Sequence, residues 1–122
     1  MTIREALNRC DSLLCNTYSQ AQKISWLSQL EALVHPFILD RRELKANPFV
    51  PITADTDPDT PLLVQPPFDE IYIHFLHSRI HYHNGEPERF NNALTMFRTA
   101  WEEYANYVNR EIMPLKRCFR FF

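Results

Sequence analysis

Apolar residues recur along this chain at spacings of three and four, in four separate stretches. That period lines one face of a helix, so the pattern predicts four amphipathic helices. The first spans Ile3–Leu14, with Ile3, Ala6, Leu7, Cys10 and Leu14 on its inner face. Thr2-Ile3-Arg4-Glu5 opens it as a capping box, in which Thr2 accepts from the third N–H and Glu5 reaches back. Asn16-Thr17-Tyr18 breaks it. The second helix opens at Ser19-Gln20-Ala21-Gln22, a weaker box with Gln in place of Glu. It carries the stripe Ile24, Trp26, Leu27, Leu30, Leu33 and Val34. Pro36 falls inside this pattern, where it removes one backbone hydrogen bond and crowds the preceding turn. Because Phe37 and Ile38 continue the pattern, a kinked helix that runs on to Arg42 is expected rather than one that stops at His35.

The third helix is expected to start near Pro67, with Asp69 and Glu70 in its first turn, where negative charge suits the helix dipole. Its buried stripe is Phe68, Ile71, Tyr72, Phe75, Leu76 and Ile80. The turn His83-Asn84-Gly85-Glu86-Pro87 follows and holds the only glycine of the chain. Gly85 suits a helix end that needs φ > 0, and Pro87 suits the first turn of the next helix. The fourth helix spans Pro87 to about Arg110. Phe90, Leu94, Phe97, Trp101, Tyr104 and Val108 alternate spacings of four and three as a packing seam. Ala93 and Ala100 beside the seam allow close approach of a neighbour. Together the third and fourth helices predict an antiparallel αα-hairpin.

Between the second and third helices the pattern stops. Residues 45–66 form a long loop, and the stretch NPFVPITADTDPDTPLLVQPP within and just past it holds six prolines in twenty-one residues. That density excludes a helix and any central strand. Two apolar islands, Phe49-Val50 and Leu62-Leu63-Val64, are either short edge strands or anchors that pin the loop to the helices. Asp55, Asp57 and Asp59 alternate as in a calcium loop, but the turn glycine and the closing glutamate of such a loop are missing.

Composition narrows the function. With 122 residues and 45% hydrophobic content, one domain over 1–122 can fill its own core. A net charge of −2 and a pI near 6.2 disfavour a dedicated polyanion binder. No apolar run approaches the ~20 residues of a membrane span, and MTIREALNRC lacks the apolar core of a signal peptide. Cys10, Cys15 and Cys118 form no CxxC pair and read as reduced thiols of a cytosolic product, although a Cys15–Cys118 contact stays open.

Candidate chemistry is sparse. Glu70, His74, His77 and His81 lie at intervals of four, three and four, on one face of the third helix opposite its apolar stripe. Such a row can hold a transition metal, or respond to pH at an interface. The plainer reading is a polar outer face, since four groups strung along one helix cannot surround a single ion. No serine sits in a nucleophile elbow, and one glycine cannot build a phosphate loop. No catalytic, cofactor-binding or metal-ligating residue is therefore assigned, no cofactor is expected, and the chain does not read as an enzyme. The tail 114–122 interleaves Lys116, Arg117 and Arg120 with Phe119, Phe121 and Phe122. It reads equally as a segment docked on its own domain or on another subunit, and less well as a nucleic-acid patch.

The segments MTIREALNR, NTYSQAQKISWLSQLE, LLVQPPFDEIYIHFL, HYHNGEPERFNN and YVNREIMP, followed by an aromatic finish, occur in that order. In them the chain resembles the head–tail connector, or adaptor, proteins encoded by long-tailed bacteriophages and prophages of Gram-positive bacteria. It departs from that pattern between His35 and Asp59. The resemblance implies an α-helical subunit of a homo-oligomeric ring, commonly of twelve copies. Such a ring sits beneath the portal protein, meets downstream neck and tail proteins, and passively lines the DNA channel. It also implies a place in the host cytoplasm during assembly and in the virion neck afterwards, no membrane partner, and no catalytic residue. Two rivals remain at this point: a small helical protein-binding or regulatory module of a phage or prophage, and a metal-dependent enzyme built on the histidine row. The fold expected in every case is all-α, with about four helices, a C-terminal hairpin, a proline-rich loop and an extended tail.

Overall fold

A computed structural model describes residues 1–42 and 51–112, and shows four helices: α1 (Ile3–Leu13), α2 (Gln20–Arg42), α3 (Glu70–His83) and α4 (Pro87–Ile112). The fold is all-α, with one isolated β-bridge, Thr2 to Pro61, among the described residues. The Phe49-Val50 island, Cys118 with any contact to Cys15, and the tail 114–122 lie outside the described residues.

α1 begins where the capping box places it. Thr2 Oγ1 accepts from the Glu5 N–H at 3.2 Å, and the Thr2 carbonyl takes the Ala6 N–H at 3.0 Å. The two N–H groups ahead of these would be orphaned at a helix start. The proline-rich loop accepts both: Ile3 N–H donates to Thr60 O and Arg4 N–H to Pro58 O, at 3.2 and 2.9 Å. Leu62 N–H then donates to Met1 O at 2.9 Å. The Leu62-Leu63-Val64 island is an anchor, with Leu62 and Val64 at 5% and 0% exposure and Leu63 facing outward. Each buried aliphatic side chain of this size stabilises the fold by roughly 1.5–3 kcal/mol.

α2 carries on through Pro36 to Arg42, with Ser19 Oγ accepting from the Gln22 N–H. Trp26, Leu27, Leu30 and Val34 are buried as the stripe requires. Leu33 is not; it is 67% exposed, because it lies one position, ~100° of turn, off Val34. The reverse occurs at Lys23 and Glu31, whose side chains are buried at stripe positions.

α3 starts at Glu70, three residues later than expected. Pro66 and Pro67 are joined by a cis peptide, and Gln65–Asp69 forms turns, with Phe68 N–H donating to Gln65 O at 3.0 Å. α3 packs against all three other helices, and Ile73 and Ser78 are buried beside its expected stripe. α2 also touches all three others, but α3 is the more deeply buried, with no exposed residue from Ile71 to Ile80, and is the central helix. At its end Gly85 has φ +72°, Gly85 N–H donates to Tyr82 O and Glu86 N–H to His81 O. That pair of bonds is a Schellman closure, which needs a left-handed residue at the glycine position. Ring pairs Phe75–Phe97 and Tyr82–Phe90 run in opposite order along α3 and α4, and Phe68, just ahead of α3, meets Tyr107 in the same sense, so the two helices are antiparallel. Tyr104 and Val108 are buried on the α4 seam, and Ala93 beside it.

Candidate functional site

The histidine row is partly covered: His74, His77 and His81 are half-buried, while Glu70 at its start is exposed. α1 packs along it, and the Arg9 guanidinium pairs with Glu70 at 2.7 Å. His77 hydrogen-bonds the Cys10 backbone, and its Nε2 is buried with no partner. Burial lowers its pKa, and His74 and His81 lower it further, while the Cys10 contact opposes them. His81 Nδ1 lies 3.3 Å from Glu86 Oε1, which ties it to the hairpin turn. The expectation of a polar outer face is corrected in part: Glu70 is exposed, but His77 packs against α1 and His81 against the hairpin turn, and all three histidines are half-buried. Among the described residues no three His, Cys, Asp or Glu side chains converge to hold a metal ion. Asp55, Asp57 and Asp59 belong to this unassembled set; Asp59 pairs with Arg4 at 3.1 Å and Asp57 bonds the Asp59 N–H.

The structure assembles a different polar centre, between α2, α3 and the loop. The Tyr72 hydroxyl donates to Glu31 Oε1 at 2.5 Å and accepts from the Val64 N–H at 2.8 Å. Leu63 N–H donates to Glu31 Oε2 at 3.1 Å. Burial raises the Glu31 carboxyl above its ordinary pKa, against the pull of these donors and of His35. Burial and the neighbouring Glu31 charge raise the Tyr72 phenol far more. A buried carboxylate beside a phenol resembles an acid–base pair. Here both groups are spent on backbone N–H groups that the loop must satisfy. Sequence reading treated Tyr72 only as apolar mass and passed over Glu31. The signal was present: Glu31 falls between Leu30 and Val34, inside the buried arc.

A second polar contact closes the α1–α2 corner. Lys23 Nζ lies 2.5 Å from Asp11 Oδ1, with the lysine side chain almost fully buried. Burial raises the Asp11 pKa, but bonds from Lys23, Asn16 and Gln20 more than offset this and leave it lowered. At the hairpin tip Trp26 stacks on His83 at 5.3 Å, Tyr18 meets the edge of Trp26 at 5.5 Å, and Tyr18 donates to Asn84 Oδ1 at 2.7 Å.

The two described cysteines differ in exposure. Cys10 is fully buried and its thiol is pushed up to about 11 by burial; Cys15 is exposed. The surface hollows are shallow. One of about 300 Å³ lies at the tip beside Tyr82, Gly85 and Phe90. Another of about 540 Å³ separates α2 from residues 51–54, against Ala21, Ser25, Ser28 and Ala32. Two more adjoin between the start of α3 and the rear of α4, at about 230 and 540 Å³. Neither Glu31 nor Tyr72 lines any of these four. No described helix is long and apolar enough to cross a membrane. Comparison with family models, with curated proteins and with solved structures returns no significant match.

Proposed function

We propose that the chain is a structural virion subunit of the head–tail connector class, which assembles as a ring under the portal and joins the DNA-filled head to the tail. One observation carries the reading. The segments in which the chain resembles connectors are the ones that build its central unit: LLVQPPFDEIYIHFL holds Leu62, Val64 and Tyr72, and HYHNGEPERFNN holds the Gly85 closure. The buried polar groups of that unit are used to fix the loop and the helix ends, which is the economy of a scaffold. A hairpin with a pinned loop offers rigid lateral faces, and contacts between unlike faces that close by rotation generate rings.

Electron microscopy of the protein mixed with its cognate portal tests this. Rings seated on the portal are expected, and neither ring nor portal binding is the outcome that rejects it. A regulatory module that binds a host or phage protein is the second reading. Gene order separates the two, since a connector gene lies between head and tail genes. The enzyme reading needs a metal on His74, His77 or His81, and elemental analysis of untagged protein addresses it.

A further inference from the structure

α4 carries two stripes. One is the seam packed on α3 and α2. The other faces solvent: Glu88, Asn92, Thr95, Thr99, Asn106 and Arg110 are all exposed. At about 100° of turn per residue they all fall within about 40° of Thr99. The second stripe is symmetric in its chemistry. Glu88 and Arg110 stand at equal spacing either side of Thr99, and so do Asn92 and Asn106. Reversed about Thr99, the stripe sets acid against base, amide against amide and hydroxyl against hydroxyl. Glu88 and Arg110 make no ion pair or hydrogen bond with any described residue, and neither do Arg98 and Glu102 on the flank of the stripe.

We propose that this face of α4 binds a second copy of itself, antiparallel, about a two-fold axis through Thr99. A two-fold interface must be complementary to its own reverse. A face for a foreign partner is under no such constraint, and Glu88, Asn92, Asn106 and Arg110 all satisfy it. In that pairing Glu88 of each copy meets Arg110 of the other. Arg98 lies about 3 Å along the helix axis from Glu102 of the second copy, on the same flank. Glu103 faces Thr95 and so meets no like charge. Shape favours the same arrangement. A two-fold axis at right angles to the helix keeps every side chain on its own flank. Met96, 54% exposed, then lies on the flank that carries the second copy's hollow of about 230 Å³, at the height of Glu102 and Glu103. Phe68, Thr99 and Ala100 line that hollow, so the exposed thioether gains apolar neighbours. Exposed ion pairs each add little, so the dimer is weak and reversible. The proposal does not rest on the virion reading, and its two-fold contact differs from the unlike-face contact that closes a ring.

Disulfide trapping in the full chain tests it, with Cys15 and Cys118 replaced by Ser. Thr99→Cys puts like thiols face to face on the axis. Asn92→Cys puts them about 21 Å apart along the helix, because position 92 faces Asn106 of the second copy. Under mild oxidation, Thr99→Cys is expected to link two chains at least about tenfold faster than Asn92→Cys or Asn106→Cys alone, through the higher local concentration. The latter two variants, mixed, should link to each other faster than either links to itself. Glu88→Arg or Arg110→Glu should each slow the Thr99→Cys link at least about threefold, and the two together in one chain should restore it. Equal rates at the three positions overturn the proposal, since random collision or a parallel pair gives that result. No link at Thr99→Cys overturns it too, and leaves the face to a different protein.

Discussion

A single hydroxyl, that of Tyr72, joins three parts of the chain: α3 through its own backbone, α2 through Glu31, and the loop through Val64. Tyr72→Phe keeps the ring and removes the bridge. It leaves the Val64 N–H without an acceptor and Glu31 without its closest donor, both in the core. The expected cost is about 1–3 kcal/mol, seen as a lower urea midpoint at unchanged slope. A midpoint equal to wild type would show that the bridge is only incidental to the packing. His77 predicts a pH dependence. Its folded pKa is lowered, chiefly by burial, so the unfolded chain takes the proton first as pH falls. Its contribution is therefore complete above the ordinary pKa of about 6.5 and is lost as pH falls toward the folded value. The groups around it are His74 and His81 on α3 and the Cys10 backbone on α1. Glu31 acts in the opposite sense, since a raised carboxyl favours the fold at lower pH. Comparing His77→Gln with wild type cancels that term. Urea midpoints at pH 7.5 and 5.5 should fall less in the variant, and identical falls would refute the assignment. Lys23 and Glu31 show what was legible at this scale. Charges inside an apolar arc announce buried partners, but which partner each finds is decided by tertiary packing.

At the scale of elements, local chemistry carried most of the information. Thr2 and Ser19 cap the helices that follow them, Gly85 closes α3, and Pro87 opens α4. Each is a short-range rule that needs no knowledge of the fold. Gly85 can be tested directly. A Cβ at this position meets nothing within 4 Å, so any cost of substitution is backbone strain alone. Gly85→Ala is expected to cost about 1 kcal/mol and Gly85→Asn clearly less, because Asn tolerates the left-handed region. Thermal melts of the three proteins decide it, and an Ala variant as stable as the Asn variant would exclude strain as the cause. The misses are tertiary in origin. α3 starts late because the Pro66-Pro67 pair is absorbed into the turns before Asp69. The exposure of Leu33 and the burial of Ile73 depend on where neighbouring helices lie. The period of an amphipathic helix predicts one buried arc and says nothing of a second. α3 has nearly a full circle of them, and that is why its histidines were first placed in solvent.

For the whole molecule, the all-α class follows from periodicity, but the role of the proline-rich segment does not. Its backbone closes the start of α1, and its Leu62 and Val64 enter the common core. Nothing in a run of prolines signals such a clamp, because the carbonyls and N–H groups that form it are the same in every sequence. The candidate contact surfaces were legible as composition only: the basic aromatic ending is visible in the sequence, and the hollows beside α4 are not. The central place of α3 has a consequence for synthesis. Trp26, Leu27, Leu30 and Val34 emerge from the ribosome well before the helix that covers them. During synthesis α2 therefore carries a naked apolar stripe until residues beyond Ile80 have followed it out. A fold built around its third helix closes only once α3 has been made, and α1 and α2 are the elements most in need of shelter meanwhile.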